Sequence, residues 1–181
     1  MMKNKTVLIT GGTGSLGRAL TKKLLNSNVD TIRIFSRNES KQIEMESEFN
    51  EDKRLRFFIG DIRDSERLFN ALEDVDIVFH AAGNVGGIGY NKDHPASVFF
   101  DNIMMDTLMM EESRKNKVKK FIAIGTVCSY PKFATVPFLE EEIWNGYPEE
   151  TNASYGLSKK MMIVQADAYQ QEYNFKSIIL V

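Results

Sequence analysis

Short apolar runs punctuate the chain at residues 5 to 10 (KTVLIT), 31 to 35 (TIRIF), 55 to 59 (LRFFI), 75 to 79 (VDIVF), 119 to 124 (KKFIAI) and 176 to 181 (KSIILV). They are strand-length and show little polar alternation, the pattern of strands buried on both faces. Between them lie helix-length stretches near 15 to 27, 38 to 49, 64 to 73, 95 to 116 and 153 to 173, several entered by a capping residue such as Asn38 or Asp64. Strand alternating with helix predicts an α/β fold: a doubly wound parallel sheet of about six strands, with right-handed crossovers placing helices on both faces. In such a sheet the ligand crevice lies beyond the carboxyl ends of the strands.

With 181 residues, 43% of them hydrophobic, the chain suits one core, and a single domain over 1–181 is expected. The chain ends at Val181, at the close of its last predicted strand, without the further helix and strands such a sheet usually carries. A C-terminal substrate-binding portion is therefore expected to be absent. The longest non-periodic stretch, residues 129 to 152, carries Pro131, Pro137 and Pro148, and so long a loop suggests function.

Charge narrows the partners. The 25 acidic and 23 basic side chains give a net charge of -2 with no basic footprint, which disfavours nucleic acid. Cys128 is the only cysteine, excluding an intrachain disulfide and pointing to a reducing compartment such as the cytoplasm. No apolar run approaches the roughly 20 residues that cross a bilayer, so no membrane association is expected. No metal site is expected either, because the acidic residues at 140 to 142, 149 and 150 have no His or Cys cluster beside them.

Chemistry concentrates at the predicted strand ends. Gly11, Gly12, Gly14 and Gly17 in TGGTGSLG follow the first strand and open the first helix, with Ser15 and Leu16 among them. Backbone amides at this spacing can approach a pyrophosphate, which makes the unit a Rossmann-type dinucleotide site; a plain tight turn is the alternative. Where an NAD site usually places a carboxylate, this chain has Ser36 and Arg37, with Lys41 following. A guanidinium fork suits a ribose 2′-phosphate, so NADP(H) is preferred and NAD(H) is second; otherwise Arg37 and Lys41 are a solvated helix start. Asp61 and Ile62 after the third strand could accept from an adenine amino group and cover its ring, or Asp61 caps the turn beside Gly60. Ala81, Ala82 and Gly83 would let a cofactor pass close to the fourth strand.

Tyr155 and Lys159 stand four apart on a predicted helix and share a face. A phenol with pKa about 10 needs roughly 4 kcal/mol of help to act as a base near neutrality, which Lys159 and a cationic nicotinamide could share. Thr126, ending the fifth strand, could hold the same substrate oxygen. Together they make a set for interconverting a carbonyl and an alcohol. His80 and His94 are both read as structural.

TGGTGSLG, GDIRD, HAAGNVGG, GTVCSYP and YGLSK, in that order, resemble the extended short-chain dehydrogenase/reductase (NAD-dependent epimerase/dehydratase) family, over essentially the whole chain. The first half, with IFSRNESKQIEM and RFFIGDIRDSERL, is similar to inverting 4,6-dehydratases of UDP-N-acetylhexosamines. The second half, from AAGNVGGIGYN through EETNASYGLSK, is similar to GDP-L-fucose synthases. The latter resemblance implies epimerisation at two carbons flanking a 4-keto group and hydride transfer from NADPH. It gives Thr126, Tyr155 and Lys159 the carbonyl, Cys128 a proton exchange, and a histidine beyond Val181 a further role. For Cys128 the alternative is a small buried residue. Asn102 matches a family position that steadies the cofactor or the adjacent strand. A 4,6-dehydratase would need an acid and a lysine near Thr126 and Tyr155, for which Glu140 and Lys132 are forced candidates. A non-catalytic dinucleotide-binding module remains the reading of another class. Methionine-rich helices near 95 to 116 and 153 to 173 imply a homodimer, as the family pairs them across a two-fold axis.

Overall fold

A computed structural model describes residues 2–181. The chain alternates β1 (Thr6–Thr10), α1 (Ser15–Leu25), β2 (Thr31–Ser36), α2 (Glu39–Glu48), β3 (Leu55–Ile59), α3 (Ser65–Leu72) and β4 (Ile77–His80). It continues through α4 (Gly87–Asp93), α5 (Pro95–Lys115), β5 (Lys120–Ile124), α6 (Ala153–Tyr173) and β6 (Ser177–Leu180). All strand pairs are parallel, in the order β3-β2-β1-β4-β5-β6. The chain reverses its direction of growth between β1 and β4, which is where a doubly wound sheet opens its crevice.

Successive side chains of a strand point to opposite faces, and β1 serves two cores at once. Val7 and Ile9 pack with Leu24 of α1, Ile32 and Ile34 of β2 and Met45 of α2. Leu8 faces the other core, with Leu68 and Leu72 of α3, Met109 and Met110 of α5, Phe121 of β5 and Met162 of α6. Val7, Leu8 and Ile9 are fully buried, each contributing about 1.5–3 kcal/mol of apolar transfer.

Local chemistry sets the helix ends. The Asn38 side chain accepts from Lys41 N–H at 2.9 Å and Asp64 accepts from Arg67 N–H at 3.1 Å, as expected of caps. Asn174, with φ 53°, closes α6 in the left-handed region. Two features were not predicted. The glycine-rich GGIGYNKD segment forms α4, which ends where His94 N–H bonds Tyr90 O and the two rings stack at 4.5 Å. Between β5 and α6 lie short 3₁₀ segments at Val127–Ser129 and Glu140–Trp144. Strand β4 starts at Ile77, later than expected, because Asp76 is occupied as an anchor: its carboxylate accepts from Thr6 N–H, Lys5 and Lys119.

Among the described residues, no helix is long and apolar enough to cross a membrane.

Candidate active site

The glycine turn needs its glycines for two different reasons. Gly11 has φ +65°, and a Cβ there would lie 2.9 Å from the Ala81 carbonyl and from Ala82. The β1 turn and the end of β4 are therefore in backbone contact. A side chain at Gly17 would overlap the backbone of Gly12, so this glycine lets α1 seat on the turn. The amides at the start of α1, from Ser15 to Gly17, have no partner a turn earlier in the helix, and Gly14, Ser15 and Leu16 are exposed. The turn is open, and its residues Gly11, Thr13 and Gly14 border a cleft of about 340 Å³.

Gly11, Gly14, Ser36, Arg37, Lys41, Asp61, Ile62, Ala81, Ala82 and Gly83 line that cleft. Thr13, Phe35, Asn38, Gly60 and Met105 join them without having been assigned to the cofactor from the sequence. Ser15, Leu16, Gly17, Asn102, Tyr155 and Lys159 are not on its wall. The end of β2 is fixed by Gln42, whose Nε2 donates to Ser36 O, Ser36 Oγ and Phe58 O at 3.2, 2.9 and 2.9 Å. Arg37 is largely exposed and stands 3.8 Å from Asp61. Asp61 is held more tightly by Arg63, at 3.0 and 2.8 Å, and this pairing keeps its carboxyl below the usual range despite partial burial. Arg63 reaches on to Asp101 at 2.8 Å.

Asn102, fully buried, donates to Asn84 O and Val98 O at 2.8 and 2.7 Å and accepts from Asn84 N–H at 2.9 Å. It steadies the loop after β4, and this accounts for a polar residue in an apolar helix.

The second set of residues meets at the end of β5. Gly156 permits this: a Cβ on it would run into the Cys128 carbonyl, and Ser129 Oγ donates to Gly156 O at 2.9 Å. The first turn of α6 thereby sits on the Val127–Ser129 segment and carries Tyr155 up to Thr126 and Cys128. Thr126 Oγ1 accepts from Cys128 N–H at 3.2 Å, which leaves the hydroxyl proton free to donate. Cys128 is half-buried on a neighbouring cavity of about 440 Å³, with Ile88, Val127, Lys132 and Asn152.

Lys159 takes a different partner from the one the sequence suggested. Its Nζ, almost fully buried, donates to Asp106 Oδ1 at 2.9 Å and to Ala82 O at 3.4 Å. Among the described residues no hydrogen bond joins Lys159 to Tyr155. The protein groups hold the Tyr155 phenol above its ordinary value, through burial first, then the charge of Asp106 and Cys128, with the Thr126 hydroxyl opposing. Where protein groups act alone the phenol is therefore raised, chiefly by its burial, while the Lys159 ammonium is engaged by a carboxylate. Asp106 and Met105 were missed in the sequence. The available signal was a carboxylate inside the apolar run MMDTLMM, where it needs a buried partner.

Residues 7–181 match the model of the NAD dependent epimerase/dehydratase family. The UDP-N-acetylglucosamine 4,6-dehydratase (inverting) of Campylobacter jejuni is 46% identical over 129 residues, 70% of this chain and 37% of its own. The GDP-L-fucose synthase of Escherichia coli is 34% identical over 113 residues, 61% of this chain and 35% of its own. A solved GDP-mannoheptose C4 reductase from Campylobacter jejuni with NADP bound superposes with a TM-score of 0.81 at 22% identity, over 99% of this chain and 51% of that one, a likeness of fold. The chain thus spans a little over a third of the curated relatives named and about half of the solved neighbour. With its glycine turn, its strand order and that match over 7–181, the chain belongs to the NAD dependent epimerase/dehydratase family.

Proposed function

We propose that this chain is the dinucleotide-binding part of an NADP(H)-dependent enzyme acting on a nucleotide-linked sugar, of the epimerase/reductase kind represented by GDP-L-fucose synthase. The observation that carries this reading is the seating of Gly156 on Cys128, which gathers Thr126, Cys128 and Tyr155 at the end of β5. A dinucleotide fits the glycine-lined cleft, because Gly11, Thr13 and Gly14 of the turn line it and the exposed start of α1 follows directly from Gly14. Ala81, Ala82 and Gly83 would carry its middle, and Ser36, Arg37 and Lys41 a ribose 2′-phosphate. Asp61 and Ile62 would border the adenine. When bound, the nicotinamide supplies or accepts a hydride.

The chain's own groups divide the remaining work. The Thr126 hydroxyl donates to the sugar oxygen, and Tyr155 gives that oxygen a proton on reduction or takes one on oxidation. Cys128 moves a proton at a carbon beside the ketone. Lys159 orients the cofactor side of the site from its place over Ala82.

The first test is fluorescence titration: NADPH binds more tightly than NADH, and Arg37→Ala removes most of the difference. Equal dissociation constants in the unsubstituted protein would end the NADP(H) preference. Next, incubation with GDP-4-keto-6-deoxymannose and NADPH in deuterated water should show NADPH consumption and deuterium at the carbons flanking the ketone. Cys128→Ser should abolish the exchange. Cofactor binding without either reaction would leave a binding module.

A 4,6-dehydratase acting on a UDP-N-acetylhexosamine is the second reading, favoured by the 46% identity to the Campylobacter enzyme. Against it, Lys132 is committed to Glu150 at 2.8 Å, and Glu140 lines a separate cavity by α6 and β6. Release of a 4-keto-6-deoxy product from the UDP sugar would decide for it.

A homodimer through α5 and α6 belongs to the same proposal. Phe99 and Phe100 on α5 and Met161 and Val164 on α6 are exposed, while Met105, Met109, Met110 and Met162 are spent on the core.

A further inference from the structure

Four polar side chains from four elements form one buried row. The Thr10 hydroxyl on β1 lies 2.7 Å from His80 Nδ1 on β4, and His80 Nε2 lies 2.8 Å from Asp106 Oδ1 on α5. Lys159 on α6 donates to that same oxygen at 2.9 Å. None of the four is more than 2% exposed. Taking a carboxylate and an ammonium out of water costs several kcal/mol each, so such a pair persists only with good geometry and further hydrogen bonds. Burial keeps His80 neutral against the pull of Asp106. Its Nε2–H then donates to Asp106, and Thr10 donates to Nδ1, so the ring is satisfied on both sides.

Asp106 is less well served. Oδ1 accepts twice, whereas Oδ2 is buried without a hydrogen-bonding partner among the described residues. The Lys159 ammonium offsets much of the carboxylate's charge, and what it leaves acts over several ångströms in a medium of low dielectric. Tyr155 lies within its field, one helical turn before Lys159. The other groups facing the phenol are Thr126 and Cys128 at the end of β5.

We propose that Asp106 is a positioning residue of this site: it anchors the Lys159 ammonium over Ala82, and its charge, fixed by Thr10 and His80, sets the pH at which Tyr155 exchanges its proton. This rests on reading Tyr155 as the proton-exchanging group. Its consequence is that loss of the phenol's proton is set back to higher pH, which favours its giving that proton to an oxygen that becomes an alkoxide. An Asp106 that merely filled space would leave the phenol indifferent to loss of the charge.

The test is an NMR titration of the full chain labelled at tyrosine ¹³Cζ, with Tyr155→Phe assigning the signal. Cofactor and sugar are absent, so the outcome is independent of turnover, while the NADPH titration above judges the functional reading separately. The unsubstituted protein should show a Tyr155 midpoint above the ordinary 10. Asp106→Asn should lower it by half a unit or more, roughly a threefold rise in the phenolate-to-phenol ratio at fixed pH. Asp106→Ser, also neutral and smaller, should shift it the same way and serves where the asparagine variant does not fold. A midpoint that stays put or rises in a folded variant overturns the proposal. So does a midpoint at or below 10 in the unsubstituted protein, which also decides the matter should neither variant fold.

Discussion

Gly156 and Asp76 show how single residues set this molecule's geometry and its acid stability. At Gly156 the absence of a Cβ is what lets α6 rest on the Cys128 carbonyl. Gly156→Val forces the two apart, and we expect a loss of about 1–3 kcal/mol in urea unfolding, the usual cost of overpacking. Proton exchange at the sugar should fall further than NADPH affinity, since the glycine cleft is not touched. Asp76 ties the starts of β1 and β5 together. Burial raises its carboxyl, but Lys119, Lys5 and the Thr6 amide outweigh it and hold the group at about 2, against an ordinary 3.8. A lowered folded-state value gives stability that is complete above about pH 4 and drains away as the pH falls toward 2. Allowing for the solvent-exposed Lys119, this is on the order of 1–2 kcal/mol. Asp76→Asn should be weaker by that amount at pH 7 and show a flatter stability profile between pH 4 and pH 2. Equal acid limbs for the two proteins would show that the ion pairs contribute nothing.

Among the elements, β1 bears most. Leu8→Ala empties a fully buried site between α3, α5 and β5 and should cost about 2–5 kcal/mol in urea unfolding, whereas Asn38→Ala at the exposed start of α2 should cost about 0.5–2 kcal/mol. The inner strands were legible in the sequence because burial leaves an unbroken apolar run; the edge strands β3 and β6 carry the same run, yet Ile59, Ile178 and Leu180 are exposed, contrary to the burial on both faces expected of them. Most helices were legible from their length, and α2 and α3 also from their capping residues Asn38 and Asp64. The α4 segment was not, because Gly86, Gly87 and Gly89 argue locally for a loop, while the helix is held by contacts such as that of Asn91 with Asn152, 61 residues away. The candidate site divides in the same way. Its glycine turn and the Tyr155 to Lys159 spacing are local and could be read. The partners of Asp106 lie 26 and 53 residues away, and only the fold reveals that they are neighbours.

For the whole molecule, the outward faces of α5 and α6 matter most. Phe100, at 56% exposure, and Val164, at 48%, would gain from a second copy pressed against them. Light scattering should give the mass of two chains, and Phe100→Asp or Val164→Asp should return it to one. A single-chain mass at every concentration would remove the dimer. Within one copy, β1, β2 and β3 carry the turn, Arg37 and Asp61, whereas β5 and α6 carry Thr126, Cys128 and Tyr155. Between these halves, Thr10 and His80 are paired across neighbouring strands and joined side chain to side chain. Thr10, one residue before Gly11 of the cleft, holds His80, and His80 in turn holds Asp106. Losing the Thr10 hydroxyl would leave His80 Nδ1 buried with nothing to receive from, a defect of about 1–3 kcal/mol felt along the whole row rather than at one strand end.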